Sequence, residues 1–329
     1  MRIVGLEEHV NRPNVMERIT WLPDALRAKL LPSVEQRIAD MDAAGISVQV
    51  LSAAITAPGP DGAANPLAPV MPLDDTAVPL IQAVNEELYG MVSAHPDRFS
   101  AFAALPLGVP EAAAAELERA VKDLGFVGTM ICGTIGDRFL DDPGFAPILE
   151  TAARLDVPIY LHPGPPPKRV RDIYYTGPFS PAVGGLLGNA GYGWHFETSL
   201  HVIRLILSGV FDRIPELKII IGHLGEGLAF HLHRIDTQLN PLAGLPKPII
   251  QYLTENIWYT TSGYFFDDQF ALTRAMFGDD RVLFSVDYPF EDNHQAREWF
   301  DHLDLPSAVR EKMAHGTADQ LLRLPVSDT

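Results

Sequence analysis

Eight short apolar runs constrain this chain more than any other feature. They fall at residues 2–7, 46–53, 99–105, 126–132, 157–162, 218–223, 257–262 and 282–287, as in "VPIYLH", "KIIIGH" and "RVLFSVD". Each is nearly continuous in apolar, often β-branched residues, which is the pattern of a strand buried on both faces. Helical patterns lie between them at 33–44, 78–94, 110–123, 143–154, 197–209, 225–239 and 266–277, with a C-terminal set from 294 onward. "VPEAAAAELERAVKDLG" is the clearest, dense in helix formers and stopped by Gly125. Strands alternating with helices build parallel sheets. Eight such units predict an α/β fold, a (β/α)8 TIM-type barrel with C-terminal helices, as one domain over residues 1–329. A doubly wound open sheet is the alternative, but no G-x-G-x-x-G follows the first strand.

Two stretches interrupt the rhythm. Residues 56–77 are rich in Pro, Gly and Ala, and residues 163–193 read as a long irregular segment. In a barrel both follow strands, on the face where active sites are built. Composition narrows the partners. The formal charge is −17, with no Lys/Arg cluster of the kind a phosphate backbone needs, which argues against nucleic acid and against anionic membrane surfaces. Cys132 is the only cysteine, so no disulfide forms within one chain and any metal must be held by His and carboxylates. The first residues do not read as a signal peptide and no stretch approaches the roughly 18 apolar residues of a membrane span, so a cytoplasmic enzyme is expected.

The polar residues at the strand ends form the informative pattern. Glu7 and His9 end the first run in "GLEEHV"; His162 ends the fifth, His223 the sixth and Asp287 the eighth. The C-terminal strand ends of a barrel converge on one pocket. Residues i and i+2 on a strand share a face, so Glu7 and His9 point together into the barrel mouth while Glu8 points away. Glu7, His9, His162 and Asp287 make an oxygen and nitrogen set suited to one divalent cation, Mn²⁺ or Zn²⁺, with positions left for water or substrate. Taken singly these residues have ordinary alternatives. A strand-end histidine is commonly a core or loop residue, and Asp287 could cap the turn before Tyr288–Pro289. The joint pattern is what carries the reading.

His223 and Glu226, three positions apart at a strand-to-helix turn, form a second pair in which a carboxylate could hold an imidazole in one tautomer. The alternative for Glu226 is an acid favoured at a helix N-terminus. Arg234 lies two turns further along and could hold a substrate carboxylate or make a surface ion pair. Helix packing is the expected role of His195 and His201, although Trp194–His195 could line the pocket. His231 and His233 fit a solvated helix face or a subunit contact. His294 lies near enough to Asp287 in sequence to approach the site, and His315 is placed to cap the last helix. Lys168, Arg169 and Arg171 fit a solvated loop. No G-x-S-x-G, P-loop or paired C-x-x-C motif is present.

With these residues in place, the sequence resembles the amidohydrolase superfamily, in particular the decarboxylase branch that includes aminocarboxymuconate semialdehyde, γ-resorcylate and dihydroxybenzoate decarboxylases. The resemblance is carried by "LEEH" (6–9), "PDRFSAFAALPL" (96–107), "DVPIYLHP" (156–163), "FETSLHVIRLILSGVFDRIPELKIIIGHLGEG" (196–227) and "RVLFSVDYPFED" (281–292). E-x-H in place of the usual initial H-x-H resembles the hydroxybenzoate group. Thr317 in "HGTA" departs from the Asn often found there. The resemblance implies one divalent metal held by Glu7, His9, His162 and Asp287, a relay of His223 and Glu226, and an arginine, Arg234, that reaches a neighbouring subunit's site in a homodimer or homotetramer. Trp194 and Phe290 are the aromatic residues expected against the substrate.

The expected reaction is non-oxidative decarboxylation of a hydroxylated aromatic acid. The substrate carboxylate and an ortho phenolate oxygen would sit at the metal, with Asp287 as proton donor to the ring carbon and His223 acting on a ring hydroxyl. The alternative is metal-dependent hydrolysis or hydration of a lactone or unsaturated dicarboxylate. A non-catalytic metal-binding barrel is a third reading, which would have little need of the His223–Glu226 pair.

Overall fold

A computed structural model of the chain describes residues 1–10, 31–53 and 72–325. The predicted strands are present in chain order: β1 (Val4–His9), β2 (Val48–Ser52), β3 (Phe99–Ala101), β4 (Thr129–Cys132), β5 (Ile159–His162), β6 (Ile219–Ile221), β7 (Ile257–Thr260) and β8 (Val282–Leu283). All pair in parallel, as β1-β2-β3 and β4-β5-β6-β7-β8. Two parallel bridges, Ala103 to Thr129 and Glu8 to Tyr288, join the two sheets at both seams and close the barrel.

The helices are α1 (Val34–Ala44), α2 (Ala77–Ala94), α3 (Pro110–Lys122), α4 (Ala146–Leu155), α5 (Lys168–Tyr174), α6 (Pro181–Gly188) and α7 (Gly193–Leu207). They continue with α8 (Val210–Arg213), α9 (Leu228–Ala243), α10 (Ile249–Glu255), α11 (Asp267–Phe277), α12 (Asn293–His302), α13 (Ser307–Glu311) and α14 (Thr317–Leu322). Ser33 starts α1 with a capping box, its hydroxyl accepting from the Gln36 N–H while the Gln36 side chain accepts from the Ser33 N–H.

Side chains inside the barrel and outside it belong to different clusters, as strand alternation requires. Val4, Leu6, Val48, Val50, Phe102 and Tyr160 pack inward with Leu321 and Leu322 of α14. Ile3, Leu51, Phe99, Ile131, Ile159 and Leu161 pack outward against the helices. Arg2, just before β1, pairs with Asp319 of α14 at 3.2 Å, so the last helix closes the N-terminal end of the barrel. The opposite end is left for the site. No described helix is long and apolar enough to cross a membrane.

Three expectations are revised. The third and eighth runs, read as 99–105 and 282–287, keep only short ladders, because side chains take over the later partners. The Ala104 N–H donates to Asn85 Oδ1 (2.9 Å), Ser285 N–H to Thr261 Oγ1 (2.9 Å) and Val286 N–H to Glu8 Oε1 (3.0 Å). The segment 163–193, expected to be irregular, holds α5 and α6. Lys168, Arg169 and Arg171 therefore lie on a helix, and Ser180 caps α6 ahead of Pro181 at its first position. The helix read from 225 begins at Leu228, because the preceding residues turn left-handed. Residues 56–71 of the first irregular stretch lie outside the described residues.

His201 packs as expected, edge-on to Phe139, and its Nε2 accepts the Leu140 N–H at 2.7 Å. Burial, with a smaller contribution from Arg204, holds its imidazole down to about 3. An unfolded histidine titrates near 6.5. His201 therefore contributes stability that is complete above pH 6.5 and is lost as pH falls from 6.5 through 3, on the order of 5 kcal/mol at full protonation. Denaturant midpoints measured from pH 7 to 4 are expected to fall accordingly. A His201→Gln variant, which keeps an acceptor but cannot gain the proton, is expected to show a flatter profile.

Candidate metal and catalytic centre

The site is built on an irregularity in β1. Its register against β2 shifts between Gly5 and Glu8. The N–H groups of Leu6 and Glu7 both donate to the Ser285 hydroxyl, at 3.0 and 2.6 Å. Past this bulge Glu7 and His9 face the barrel mouth and Glu8 faces out, as the i, i+2 spacing predicts. Glu8 is nevertheless fully buried. Its carboxyl accepts from Ser285 Oγ (3.1 Å), Val286 N (3.0 Å), Tyr288 N (3.3 Å) and Gln49 Nε2 (3.3 Å), and burial pushes it up to about 8. Glu8 thus ties β1 to the chain after β8, the two segments that supply Glu7, His9 and Asp287.

Glu7, His9, His162 and Asp287 each offer one ligand atom within 4.8 Å of the others. Glu7 Oε1 lies 3.1 Å from His162 Nε2, and Asp287 Oδ1 lies 3.1 Å from His9 Nε2. The outer ring nitrogens are engaged elsewhere: His9 Nδ1 with Ser52 Oγ at 3.0 Å, His162 Nδ1 with the Pro163 carbonyl at 2.7 Å. Both imidazoles are so oriented with Nε2 inward, the arrangement by which outer partners aim metal-binding histidines. Glu7 Oε1, His9 Nε2 and Asp287 Oδ1 are buried without a hydrogen-bond partner. Buried polar atoms are rarely left so, and three of them converging from the end of β1 and from the segment after β8 fit a cation. Burial would raise both carboxyls. For Glu7 the neighbouring His223, His162 and His9 outweigh it, for Asp287 the nearby imidazoles of His223 and His9 do, and both sit below the usual carboxylate range.

Beside this set stands a second group. Glu226 accepts from two imidazoles, His223 Nδ1 at 2.8 Å and His195 Nδ1 at 2.5 Å. Burial raises the Glu226 carboxyl, but the two histidines outweigh it and hold it below its ordinary value. His223 Nε2 points back to Asp287 Oδ2 at 3.8 Å. The turn that achieves this is unusual: all five residues from His223 to Gly227 have positive φ, between 51° and 87°. Side-chain packing holds it. Leu224 is buried, its carbonyl accepts from Thr273 Oγ1 at 2.9 Å, and a Cβ on Gly225 would lie 2.9 Å from the Tyr259 ring. Asp287 also has positive φ, 78°.

Trp194 packs edge-on to His162 and Phe290 edge-on to His9, so both expected aromatic residues border the four-residue set. Arg234 does not join it: it is exposed on α9, and its guanidinium makes no hydrogen bond or ion pair among the described residues. His294 stays away from the set, exposed beside Asp40. Sequence reasoning missed His195 as a partner of Glu226, because a histidine opening an amphipathic helix carries no mark of what lies across from it. It also missed Tyr160, whose hydroxyl donates to Glu7 Oε2, although Tyr160 stands two residues before His162 on the same inward face. Gly222 is the third omission. A Cβ there would lie 2.5 Å from Glu7 Oε2.

A closed parallel barrel with an Glu/His/His/Asp cluster at its C-terminal mouth defines a metal-dependent barrel enzyme of the amidohydrolase type. The chain belongs to the amidohydrolase family, whose profile matches residues 33–324. It is 37% identical, over 339 aligned positions covering 98% of each chain, to a γ-resorcylate decarboxylase of Polaromonas sp. strain JS666. It is 37% identical to the decarboxylase orsB of Emericella nidulans, over 94% of this chain and 90% of that one. Among solved structures it is similar to a dihydroxybenzoic acid decarboxylase from Polaromonas sp. JS666 with bound manganese and the inhibitor 2-nitroresorcinol, at 34% identity and a TM-score of 0.86 over 99% of this chain and 98% of that one.

Gly222 offers a direct test of this geometry. Gly222→Ala is expected to displace the Glu7 carboxylate and to lower Mn²⁺ retention by about tenfold or more, measured as metal per chain after gel filtration, with an unchanged far-ultraviolet circular dichroism spectrum.

Proposed function

We propose that the protein is a metal-dependent, non-oxidative decarboxylase of a hydroxylated aromatic acid of the γ-resorcylate or dihydroxybenzoate type. The observation that carries this reading is the meeting, in one pocket, of an oxygen and nitrogen cation site with a buried imidazole–carboxylate pair aimed at one of its members, Asp287. The decarboxylase relatives support a carboxy-lyase over a hydrolase or hydratase. Glu7, His9, His162 and Asp287 would hold one divalent ion, with Mn²⁺ favoured over Zn²⁺ because a related structure holds manganese. Such an ion supplies positive charge for a substrate carboxylate and an adjacent phenolate oxygen.

The chain's own groups do the rest. Trp194 and Phe290 flank the two histidine ligands and give a flat ring an apolar wall. Loss of CO2 replaces a ring carbon–carboxyl bond with a carbon–hydrogen bond, so a proton must reach that carbon. Asp287 delivers it. His223 Nε2, 3.8 Å from Asp287 Oδ2, is placed to restore that proton, and Glu226 steadies the imidazolium through Nδ1. His223 is also placed to polarise a ring hydroxyl. Arg234, whose guanidinium has no partner among the described residues, is assigned to substrate recognition in the site of a neighbouring copy, in a homodimer or homotetramer.

Mn²⁺-reconstituted protein is expected to release CO2 from at least one member of a panel of 2-hydroxy- and dihydroxybenzoates. Asp287→Asn should lower kcat by about a hundred- to ten-thousandfold. Chelation should abolish turnover and added Mn²⁺ restore it. A metal-loaded protein that releases no CO2 across the panel refutes the reading and turns the search to lactones and unsaturated dicarboxylates.

A further inference from the structure

The two oxygens of Glu7 have different surroundings, and the difference leads beyond the choice of ligands. Oε1 is buried, has no hydrogen bond and faces His162 Nε2 at 3.1 Å. Oε2 is turned away and accepts the Tyr160 hydroxyl. Behind Tyr160 the polar contacts continue: its oxygen lies 2.7 Å from Thr260 Oγ1, which lies 2.7 Å from Ser262 Oγ. All three side chains are fully buried. A carboxylate can only accept, so the direction of this chain is set: Ser262 donates to Thr260, Thr260 to Tyr160, and Tyr160 to Glu7. Gly222 completes the cradle, since any Cβ there would meet Oε2 at 2.5 Å and the Tyr160 oxygen at 3.2 Å.

We infer that Tyr160 is a positioning residue that makes Glu7 a one-oxygen ligand, holding Oε2 out of the coordination sphere and leaving a position free for substrate. The inference rests on the metal-site reading above but not on the identity of the substrate. The physical argument is one of competition. A carboxylate beside a divalent ion can offer one oxygen or both, and the second would occupy a place that a carboxylate or phenolate of the substrate needs. A donor that engages Oε2 in a dry, apolar surrounding opposes that second bond, and it fixes the rotation of the carboxylate about its last bond. An initial histidine, as in H-x-H proteins, has no such second atom to restrain. The Tyr160–Thr260–Ser262 chain is therefore the counterpart of the glutamate in E-x-H.

The test is metal binding and coordination, read without turnover. In a crystal structure of the Mn²⁺-loaded protein, Glu7 is expected to bind through Oε1 alone, with Oε2 still on Tyr160. In the Mn²⁺-loaded Tyr160→Phe protein, read in the same way, Glu7 is expected to bind through both oxygens. Thr260→Val, which removes only the donor behind Tyr160, should move Glu7 in the same direction, and serves if Tyr160→Phe does not fold. Glu7 binding through both oxygens in the wild type, or through Oε1 alone in a folded Tyr160→Phe, overturns the inference. A wild type that binds no Mn²⁺ overturns it together with the metal site. A protein that binds Mn²⁺ as expected yet releases no CO2 leaves it standing while the decarboxylase reading falls.

Discussion

The buried carboxyl of Glu8 holds the barrel shut where the last strand returns to the first. Among the described residues, one bridge and one short backbone bond, His9 N–H to the Tyr288 carbonyl at 2.6 Å, join the two segments there. Glu8 and the Ser285 hydroxyl accept the N–H groups of Leu6, Glu7, Val286 and Tyr288 across the seam. An unpaired buried carboxyl is costly, and this one is surrounded by donors and raised toward its neutral form. Arg37 of α1 reinforces it from outside, donating to Gln49 Oε1 at 3.1 Å and to the His9 carbonyl, with its guanidinium over the Tyr288 ring. Because side chains rather than a regular ladder make the closure, β1 is free to bulge. The bulge in turn aims Glu7 and His9, and the same seam places Asp287. Three of the four clustered groups therefore depend on it.

Two further features follow from where that seam leaves the pocket. Glu7, Glu226, Asp287 and the imidazoles of His9, His162, His195 and His223 occupy one poorly solvated region. Alternating acids and imidazoles let this much polar matter stay folded, since each carboxylate is offset by at least one neighbour of potential positive charge. The second feature is backbone strain. His223, Leu224, Glu226 and Asp287 hold left-handed conformations that cost roughly 1–3 kcal/mol each. Such conformations persist only where packing over-determines them, and here Leu224, Thr273 and the Tyr259 ring do so. The strain converts ordinary strand-to-helix connections into turns that hold an imidazole against a carboxylate beside the Glu7, His9, His162 and Asp287 cluster.

Much of this was legible in the sequence. The continuous apolar runs reported eight doubly buried strands, and the strand-end positions of Glu7, His9, His162, His223 and Asp287 reported one convergent pocket, because parallel barrels place their C-terminal strand ends together. The i, i+2 rule separated Glu7 and His9 from Glu8. What it could not show was that the outward Glu8 is buried as well, since the groups that surround it, from Gln49, Ser285, Val286 and Tyr288, are remote in sequence. Strand lengths were overestimated at β3 and β8 for a similar reason: the acceptors that replace the ladder are side chains from other elements, such as Asn85 and Thr261.

The amino-acid sequence by itself determined the periodicity, and through it the order of strands and helices, the chemical types at the strand ends and the face each presents. These are local properties, set by dihedral preference and by the spacing of apolar residues. Only the tertiary structure decided the company each group keeps: His195 on Glu226, Tyr160 on one oxygen of Glu7, Gly222 giving that oxygen room, and Arg234 left outside the pocket of its own chain. Those pairings join residues 31 to 215 positions apart, and their distances follow from barrel closure and from turns held by packing, which no short stretch of sequence encodes.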